Sequence, residues 1–299
     1  MNHDNTPTQV SLKRAIGPKL LILFIVGDIL GTGVYALTGS VAGRIGGALW
    51  IPFLVGFVIA ALTAMSYVEL VTKYPRAAGA ALYTQLAFRK PFLTFMVAFA
   101  VMCSGLTSAS AAARAIGGRY LQEFVTIPTV VVGIIFIIAV AALNYRGVSE
   151  SVKTNIVFTL IELTGLLVII LIGVYAVATG AGEPSRLLEI RADESGGLLL
   201  ALLGSTALAF FAFVGFEDSV NMAEETKDPS RNFPRAIFMG VAITSTVYIL
   251  VALTSSLLVD YRVLQDSDGP LLEVVKAGGL AFPRSCSRRS RCSRWPTRL

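Results

Sequence analysis

Charged residues and histidine are scarce in this sequence. Only 15% of its 299 residues are charged, where soluble domains carry about 25%, and His3 is its single histidine. With 55% hydrophobic residues, this composition excludes an ordinary soluble enzyme and a disordered chain. One histidine leaves no base for a Ser-His-Asp triad and no histidine-based metal site. We therefore expect an integral membrane protein that is not an enzyme and that uses no cofactor and no metal.

Cysteine is also rare, and positive charge is confined to one end. Cys103 lies in an apolar run, and Cys286 and Cys292 follow near the C-terminus, which is neither a disulfide framework nor a metal spacing. Six arginines and no acid follow Pro283, so the first 283 residues hold 19 basic and 19 acidic side chains. The balanced body offers no basic surface for nucleic acid, and the lipid bilayer is the expected partner.

Long apolar segments are what the sequence has in abundance. Seven segments are near or above the roughly 17 residues that cross a bilayer as a helix. They cover residues 20–37, 48–71, 92–113, 127–143, 156–178, 198–216 and 236–259, and none contains lysine or arginine. The sequence therefore predicts an all-α integral membrane protein with seven transmembrane helices.

The distribution of basic residues predicts the orientation. With the N-terminus in the cytoplasm, the inner segments of the body hold twelve lysines and arginines and the outer ones seven. Residues 80–88 are apolar but too short to span, and predict an amphipathic helix at the cytoplasmic surface. Residues 180–197 predict an external loop, and residues 266–279 a short external helix. We expect a multi-pass protein of the cell membrane.

Glycine interrupts the first span. Gly27, Gly31 and Gly33 fall within seven residues, and each weakens a helix by about 1 kcal/mol relative to alanine. A break near residues 31–33 would leave a half-helix whose free N–H groups and positive dipole end suit a carboxylate. Alternatively, Gly27 and Gly31 form a small-residue surface for close helix packing.

The sixth span ends in acids. Its apolar run reaches residue 216, after a possible kink at Gly215, and Glu217 and Asp218 follow without a turn signal. This pattern predicts a discontinuous helix with a polar second half, although a simple helix end fits the residues equally well. Two interrupted spans, five apart, are typical of inverted-repeat transporters.

Four motifs carry a family resemblance. They are Gly-Thr-Gly-Val-Tyr at 31–35, Tyr-Pro-Arg-Ala-Ala-Gly-Ala-Ala-Leu-Tyr at 74–83, Asn-Tyr-Arg-Gly at 144–147, and Gly-Phe-Glu at 215–217 continuing through Glu-Glu-Thr-Lys-Asp-Pro-Ser-Arg-Asn-Phe-Pro at 224–234. Together they resemble the amino acid permeases of the amino acid, polyamine and organocation (APC) transporter superfamily, over residues 16–282. The resemblance implies a fold of two inverted five-helix repeats with extra C-terminal helices.

The apolar spans, the basic residues and the resemblance together predict how the chain is divided. Residues 1–19 would form a cytoplasmic N-terminus and residues 20–259 the transmembrane domain. The first repeat would cover about 20–178, and the second would start over 198–259. An extracellular segment, 260–282, and a basic tail, 283–299, would follow.

The implied function is transport of amino acids or related organic cations by alternating access, as proton-coupled symport or exchange. The alternative is a seven-helix receptor or signalling protein, which has no reason to interrupt two helices. By the resemblance, the substrate carboxylate meets the amides of Gly31, Thr32 and Gly33. The ammonium meets carbonyls freed beside the kink, and Phe211 gates the substrate, with Phe210 and Phe213 competing for that role. The predicted substrate-binding residues around the kink are Phe211, Ala212, Val214 and Gly215.

Acids inside the spans are candidates for proton coupling, since an ionised carboxylate at mid-depth costs at least about 2.5 kcal/mol. Glu162 lies where members of the resembled family carry a lysine linked to proton coupling, or an acid. Asp28, in the first span, and Glu217, just past the end of the sixth, are the other two candidates. Alternatively, Glu162 is paired permanently with another helix. Glu69 lies near Lys73 at a span end, where a surface pair is expected.

The tail after Phe282 does not resemble the family. Restoring one nucleotide after the codon of Pro283, with GC-rich codons chosen throughout, converts the basic tail into a continuous apolar segment. The sequence therefore predicts a frame shift here and an incomplete, inactive fragment of a permease. The alternative is a basic tail attracted to anionic lipid.

Overall fold

Helices account for the regular structure. The computed structural model describes residues 14–31, 33–115, 117, 121, 127–145, 148–191 and 197–279. Within these ranges the strand-like pairings are two isolated bridges, Ile16 with Thr226 and Gly46 with Ile190. The α-helices are α1 (Pro18–Leu30), α2 (Gly33–Ile45), α3 (Trp50–Lys73), α4 (Gly79–Phe88), α5 (Pro91–Ala115), α6 (Thr129–Tyr145), α7 (Val148–Thr179), α8 (Gly197–Phe213), α9 (Pro229–Leu258), α10 (Tyr261–Asp266) and α11 (Pro270–Ala277). Two 3₁₀ helices cover Pro184–Leu188 and Asp218–Glu225.

Most of the predicted spans correspond to helices long enough to cross a membrane. In the part of the chain that the structure describes, five helices pass by length and composition: α3, α5, α7, α9, and α8 with the 3₁₀ helix that follows it. The bent pair α1 and α2 counts as a sixth, and α6 is a shorter apolar helix of 17 residues. The all-helical membrane class is therefore confirmed, while the count of seven stays a prediction.

Proline marks the start of several helices. Pro18, Pro229 and Pro270 each occupy the first turn of a helix, where the missing N–H would have no helical partner. Pro270 also explains a difference from the sequence prediction. The segment expected to form one short helix over 266–279 instead holds the end of α10 and, after the Gly269-Pro270 interruption, α11. The helix predicted over residues 80–88 is present as α4, and its place at the cytoplasmic surface stays a prediction.

The core lies where α1, α2, α3, α8 and α9 meet. α1 packs against α7 and α9, α2 against α8 and α10, and α3 against α8 and α9. Phe53, Phe213 and Tyr248 are among the largest fully buried side chains. α5 and α6 lie outside this core, and side chains such as Phe92 and Ile138 are exposed, as suits a lipid-facing surface. The predicted tail, 283–299, lies outside the described residues.

Candidate functional site

The first span breaks at Gly31. α1 ends at Leu30, α2 begins at Gly33, and the two helices are inclined by 40°. Gly31 has φ 25° and ψ −166°, a conformation that favours glycine because it has no Cβ. Thr32, one of the predicted carboxylate ligands, lies outside the described residues. The structure therefore contains the break that the glycines predict, and leaves carbonyls at the end of α1 without a helical partner.

Tyr248 on α9 binds those carbonyls. Its hydroxyl lies 2.8 Å from the carbonyl oxygen of Ile29 and 2.5 Å from that of Leu30. A phenol has one proton to donate, so the two acceptors share it. The ring is fully buried, 6.0 Å from the Phe53 ring and 5.3 Å from the Phe213 ring, centroid to centroid. An aromatic cluster on three helices thus fixes the end of α1.

The sixth span breaks at Gly215. α8 ends at Phe213, a turn follows, and the chain continues as the 3₁₀ helix Asp218–Glu225. Gly215 has φ 138°, a backbone conformation that residues other than glycine rarely adopt. Its N–H donates to the Glu217 carboxylate, with N and Oε2 2.9 Å apart. The discontinuous helix predicted from the sequence is present, with its polar half in 3₁₀ form.

The two breaks touch each other. A Cβ added to Gly215 would lie 2.5 Å from the carbonyl oxygen of Asp28, near the end of α1. A Cβ added to Gly33 would lie 2.9 Å from the Cα of Ala212, near the end of α8. Both distances are too short for any side chain, so both glycines are required for close approach of the two backbones. This contact places the free backbone groups of both spans in one region.

The three glycines of the first span have different surroundings. A Cβ on Gly27 would collide with Thr159 and Asn155 of α7, so Gly27 packs helices together, as the packing alternative predicts. Gly33 packs on α8. Beside Gly31 the space is open, because the nearest heavy atom to an added Cβ is the Asp28 carbonyl oxygen at 4.0 Å. Among these three glycines, Gly31 is therefore the one at which an added Cβ would make no short contact.

Carboxyl groups surround this region. Asp28 is within electrostatic range of Glu217 and Asp218, and its Oδ2 is buried with no hydrogen-bond partner in the described part of the chain. Tyr67 on α3 is also within range of Glu217 and Asp218. Like charges this close in a buried site favour the uptake of a cation or a proton. The arrangement can therefore attract a positively charged group.

A cavity adjoins the acids on the side of the 3₁₀ helix. Its volume is about 270 Å³, close to the lower end of the range for small-molecule sites, about 300–1,000 Å³. Its walls include Tyr67, Gly79 of α4, Glu217, Asp218 and Asn221. The cavity is thus polar and acidic on the 3₁₀ helix, and gives the break region access from that side.

The cavity lies beside a set of hydrogen bonds that join the start of the first span to the end of the sixth. The N–H of Ile16 donates to the carbonyl of Glu225 at 3.0 Å, and the N–H of Lys227 donates to the carbonyl of Ile16 at 2.9 Å. The N–H of Ala77 donates to the Glu224 carboxylate at 3.2 Å. These bonds join the start of α1 and the loop before α4 to the 3₁₀ helix.

Comparison with known proteins identifies the family. The amino acid permease profile matches residues 16–282. The chain belongs to the amino acid permease family. This is a family of transporters, which supports the transport interpretation over both the receptor alternative and an enzyme.

Similar permease-family proteins come from bacteria and plants. An uncharacterized transporter of Mycobacterium tuberculosis is 27% identical over 90% of this chain and 58% of its own length. The branched-chain amino acid permease of Bacillus subtilis is 26% identical over 92% of this chain and 61% of its own. The chloroplastic cationic amino acid transporter 9 of Arabidopsis thaliana is 29% identical over 91% and 50%. The chain thus spans 50–61% of the length of these relatives.

The predicted ammonium-binding residues of the permease lie at the second break. The Ala212 side chain is buried against Gly33, and the Phe211 carbonyl already accepts from the N–H of Val214 at 3.2 Å. The Phe211 side chain is 40% exposed, whereas Phe213 is fully buried against Tyr248. Phe213 thus packs on the tyrosine that binds the carbonyls of the first break, and the gating role of Phe211 stays a prediction.

Glu162 lies apart from the other predicted acids. On α7 it is within electrostatic range of Tyr248, the side chain that binds the end of α1. One turn further, a Cβ on Gly165 would lie 3.7 Å from the hydroxyl of Tyr35 on α2. Glu162 thus faces the first break from the α7 side, while Asp28 and Glu217 lie together where the breaks meet.

Two contributors to the site were missed by sequence reasoning. Tyr248 is the single tyrosine in its apolar run, and a buried tyrosine hydroxyl needs a hydrogen-bond partner, so that residue carried a usable signal. Tyr67 occupies an ordinary position in the second span, and nothing in the sequence relates it to Glu217 and Asp218. Only the packing of α3 on the 3₁₀ helix brings them together.

Proposed function

We propose that this chain carries the substrate site of a permease for amino acids or related organic cations in the cell membrane. One observation supports this most strongly: two interrupted spans meet at their breaks, with Gly215 against the Asp28 backbone. Inside a membrane, unpaired backbone groups are tolerated only where they are buried in protein or line a cavity. Such groups can bind a zwitterion that has left bulk water.

The two ends of an amino acid match the two parts of the site. The carboxylate would lie beside Gly31, facing the N-terminal end of α2, whose dipole is positive. The ammonium would face the carboxyl groups of Asp28 and Glu217 and the carbonyls at the end of α8. Gly33 would contribute its backbone N–H, while its Cα packs against Ala212 of α8.

The transport cycle would be alternating access in an inverted five-plus-five repeat, with seven of its spans in this chain and the N-terminus in the cytoplasm. In this arrangement the bonds of Ile16 and Ala77 to the 3₁₀ helix close the cytoplasmic side, and they would break on opening. Glu162 would couple protons through Tyr248, because a change in its charge acts on the hydroxyl that binds the Ile29 carbonyl.

Substitution at Gly31 tests the site. Gly31→Val places a side chain in the open space, while Gly180→Val is a matched control at another glycine of positive φ with nothing within 4 Å of an added Cβ. Binding of radiolabelled amino acids to the purified chain in nanodiscs is the measurement. We expect binding by the unmodified chain, a loss of at least about tenfold in affinity for Gly31→Val, and none for Gly180→Val.

Two results would contradict the proposal. One is that no amino acid binds the unmodified chain. The other is that Gly180→Val lowers affinity as much as Gly31→Val, which would assign the effect to backbone strain. Gly33→Val is not a useful variant, because its side chain would collide with Ala212 whether or not a ligand binds there.

A further inference from the structure

A basic groove lies where the first turns of α1 and α9 meet, away from the two breaks. It is a cavity of about 430 Å³ with Lys227, Arg231 and Arg235 on the α9 side and Ile22 on the α1 side. A neighbouring cavity of about 590 Å³ shares Arg231 and adds Arg14. The groove therefore combines a cluster of cations with an apolar wall.

The cations of the groove are available to a ligand. Within the described ranges, no hydrogen bond or ion pair engages the side chains of Lys227, Arg231, Arg235 or Arg14. Asp228 is the one carboxylate among the described residues that line the two cavities, and it lies beyond ion-pair distance of all four. The groove thus keeps an excess of positive charge that suits an anion.

The basic groove continues along α9 as an apolar stripe. Within α9, Arg231, Arg235, Met239 and Ile243 follow at steps of four residues, and at about 3.6 residues per turn they fall within about a third of the helix circumference, just after Lys227. Met239 is 49% exposed and Ile243 is 38% exposed. At about 1.5 Å per residue, the stripe changes from arginine to an exposed isoleucine within about 12 Å. This profile matches a molecule with an anionic head and an apolar tail.

A second, apolar groove extends the stripe. It is a cavity of about 380 Å³ between α9 and α7, with Ile243 and Leu250 on one side and Leu167 and Ile170 on the other. Arg235 and Leu250 are about 22 Å apart along the helix axis, whereas one leaflet has about 15 Å of hydrocarbon. The stripe therefore covers the full depth of a leaflet.

We propose that this stripe of α9 is a binding site for an acidic phospholipid of the cytoplasmic leaflet. The phosphate lies against Arg231 and Arg235, and one acyl chain follows Met239 and Ile243 into the groove on α7. Basic side chains at the membrane surface attract acidic lipids, and the apolar wall adds contact that a free anion cannot use. The inference rests on the proposed orientation of the permease, but not on its substrate.

Lipid retention by the purified chain tests this site without a transport measurement. The chain is equilibrated in detergent with phosphatidylglycerol or phosphatidylcholine, and bound lipid is counted by native mass spectrometry. The test variant is Arg231→Gln/Arg235→Gln. The control variant, Arg89→Gln/Lys90→Gln, removes the same charge from exposed residues between α4 and α5. We expect the unmodified chain to prefer phosphatidylglycerol, and the test variant alone to lose about 30-fold in affinity for it.

Three results would overturn the proposal. Equal retention of both lipids by the unmodified chain would show that the groove does not select acidic lipid. An equal loss in the test and control variants would show general charge attraction. Complete displacement of phosphatidylglycerol by millimolar inorganic phosphate would show a site for a free anion. Amino acid binding could still fail or succeed independently, because neither variant alters the two breaks.

Discussion

Removing the Tyr248 hydroxyl should destabilise the permease measurably. Tyr248→Phe keeps the ring, and with it the contacts to Phe53 and Phe213, so it creates no large cavity. It removes the one proton that the carbonyls of Ile29 and Leu30 share. Leaving a buried acceptor without its donor costs about 1–3 kcal/mol. Because the unfolded state keeps its water, this cost falls on the folded state.

The expected shift in the midpoint of thermal unfolding follows from that cost. A change of 1 kcal/mol shifts Tm by about 2–4 °C in a chain of 150–250 residues, so a fall of roughly 2–12 °C is expected. The measurement is thermal unfolding of the purified chain in detergent, followed by tryptophan fluorescence. Tyr175→Phe is the matched control, because this tyrosine on α7 is 65% exposed and should leave Tm unchanged.

The outcome separates a bonded hydroxyl from a merely buried ring. An unchanged Tm for Tyr248→Phe would refute the reasoning, because the carbonyls at the end of α1 would then need no donor. An equal fall for Tyr175→Phe would also refute it, since the loss would belong to tyrosine hydroxyls in general. A fall in Tm for Tyr248→Phe alone would support a stabilising hydrogen bond from the Tyr248 hydroxyl to the end of α1.

Three further outcomes are expected. Glu162→Gln should flatten the pH dependence of amino acid binding without abolishing binding. The control Glu69→Gln should leave that pH dependence unchanged. An unaltered pH profile for Glu162→Gln would mean that Glu162 has a structural role. Gly173→Ala should lower Tm, because its Cβ would collide with a threonine of α9. Gly105→Ala should raise Tm, because nothing lies within 4 Å of the added Cβ and alanine has the higher helix propensity. A rise in Tm for both variants would contradict the packing of α7 on α9. Burial and a neighbouring tyrosine hydroxyl raise the pKa of Tyr83 from 10.0 to about 12, so the folded chain binds more protons between those values and unfolding free energy should fall there as pH rises. Tyr83→Phe should remove part of that fall in pH-dependent denaturation, and an identical fall would assign it elsewhere.

The positions of both breaks could be predicted from the sequence, because the causes are local. Glycine weakens a helix wherever it occurs, and Gly31 and Gly215 both adopt positive φ that other residues rarely adopt. The acids that follow Gly215 mark the polar half of the span, because ionised carboxylates would be costly in an apolar helix. The span positions follow from length and hydropathy alone.

The division of roles among the glycines could not be predicted. Gly27, Gly31 and Gly33 look alike in sequence, but Gly27 meets α7, Gly33 meets Ala212, and Gly31 meets open space. These differences depend on which helix packs on each face, and that information is distributed over the whole fold. For the same reason, Glu162 could be predicted as a coupling acid, but not its electrostatic interaction with Tyr248, the side chain that binds the end of α1.

The bridge between Ile16 and Thr226 has a consequence for genetic experiments on this family member. Both of its hydrogen bonds join main-chain atoms, so every side chain except proline leaves them intact. An alanine scan would not report on these bonds, because Ile16 and Thr226 are buried and any loss at either position would reflect the packing of its side chain. Only a change to the backbone itself, such as Ile16→Pro or an ester in place of the amide, would expose how strongly these two bonds hold the ends of the two spans together.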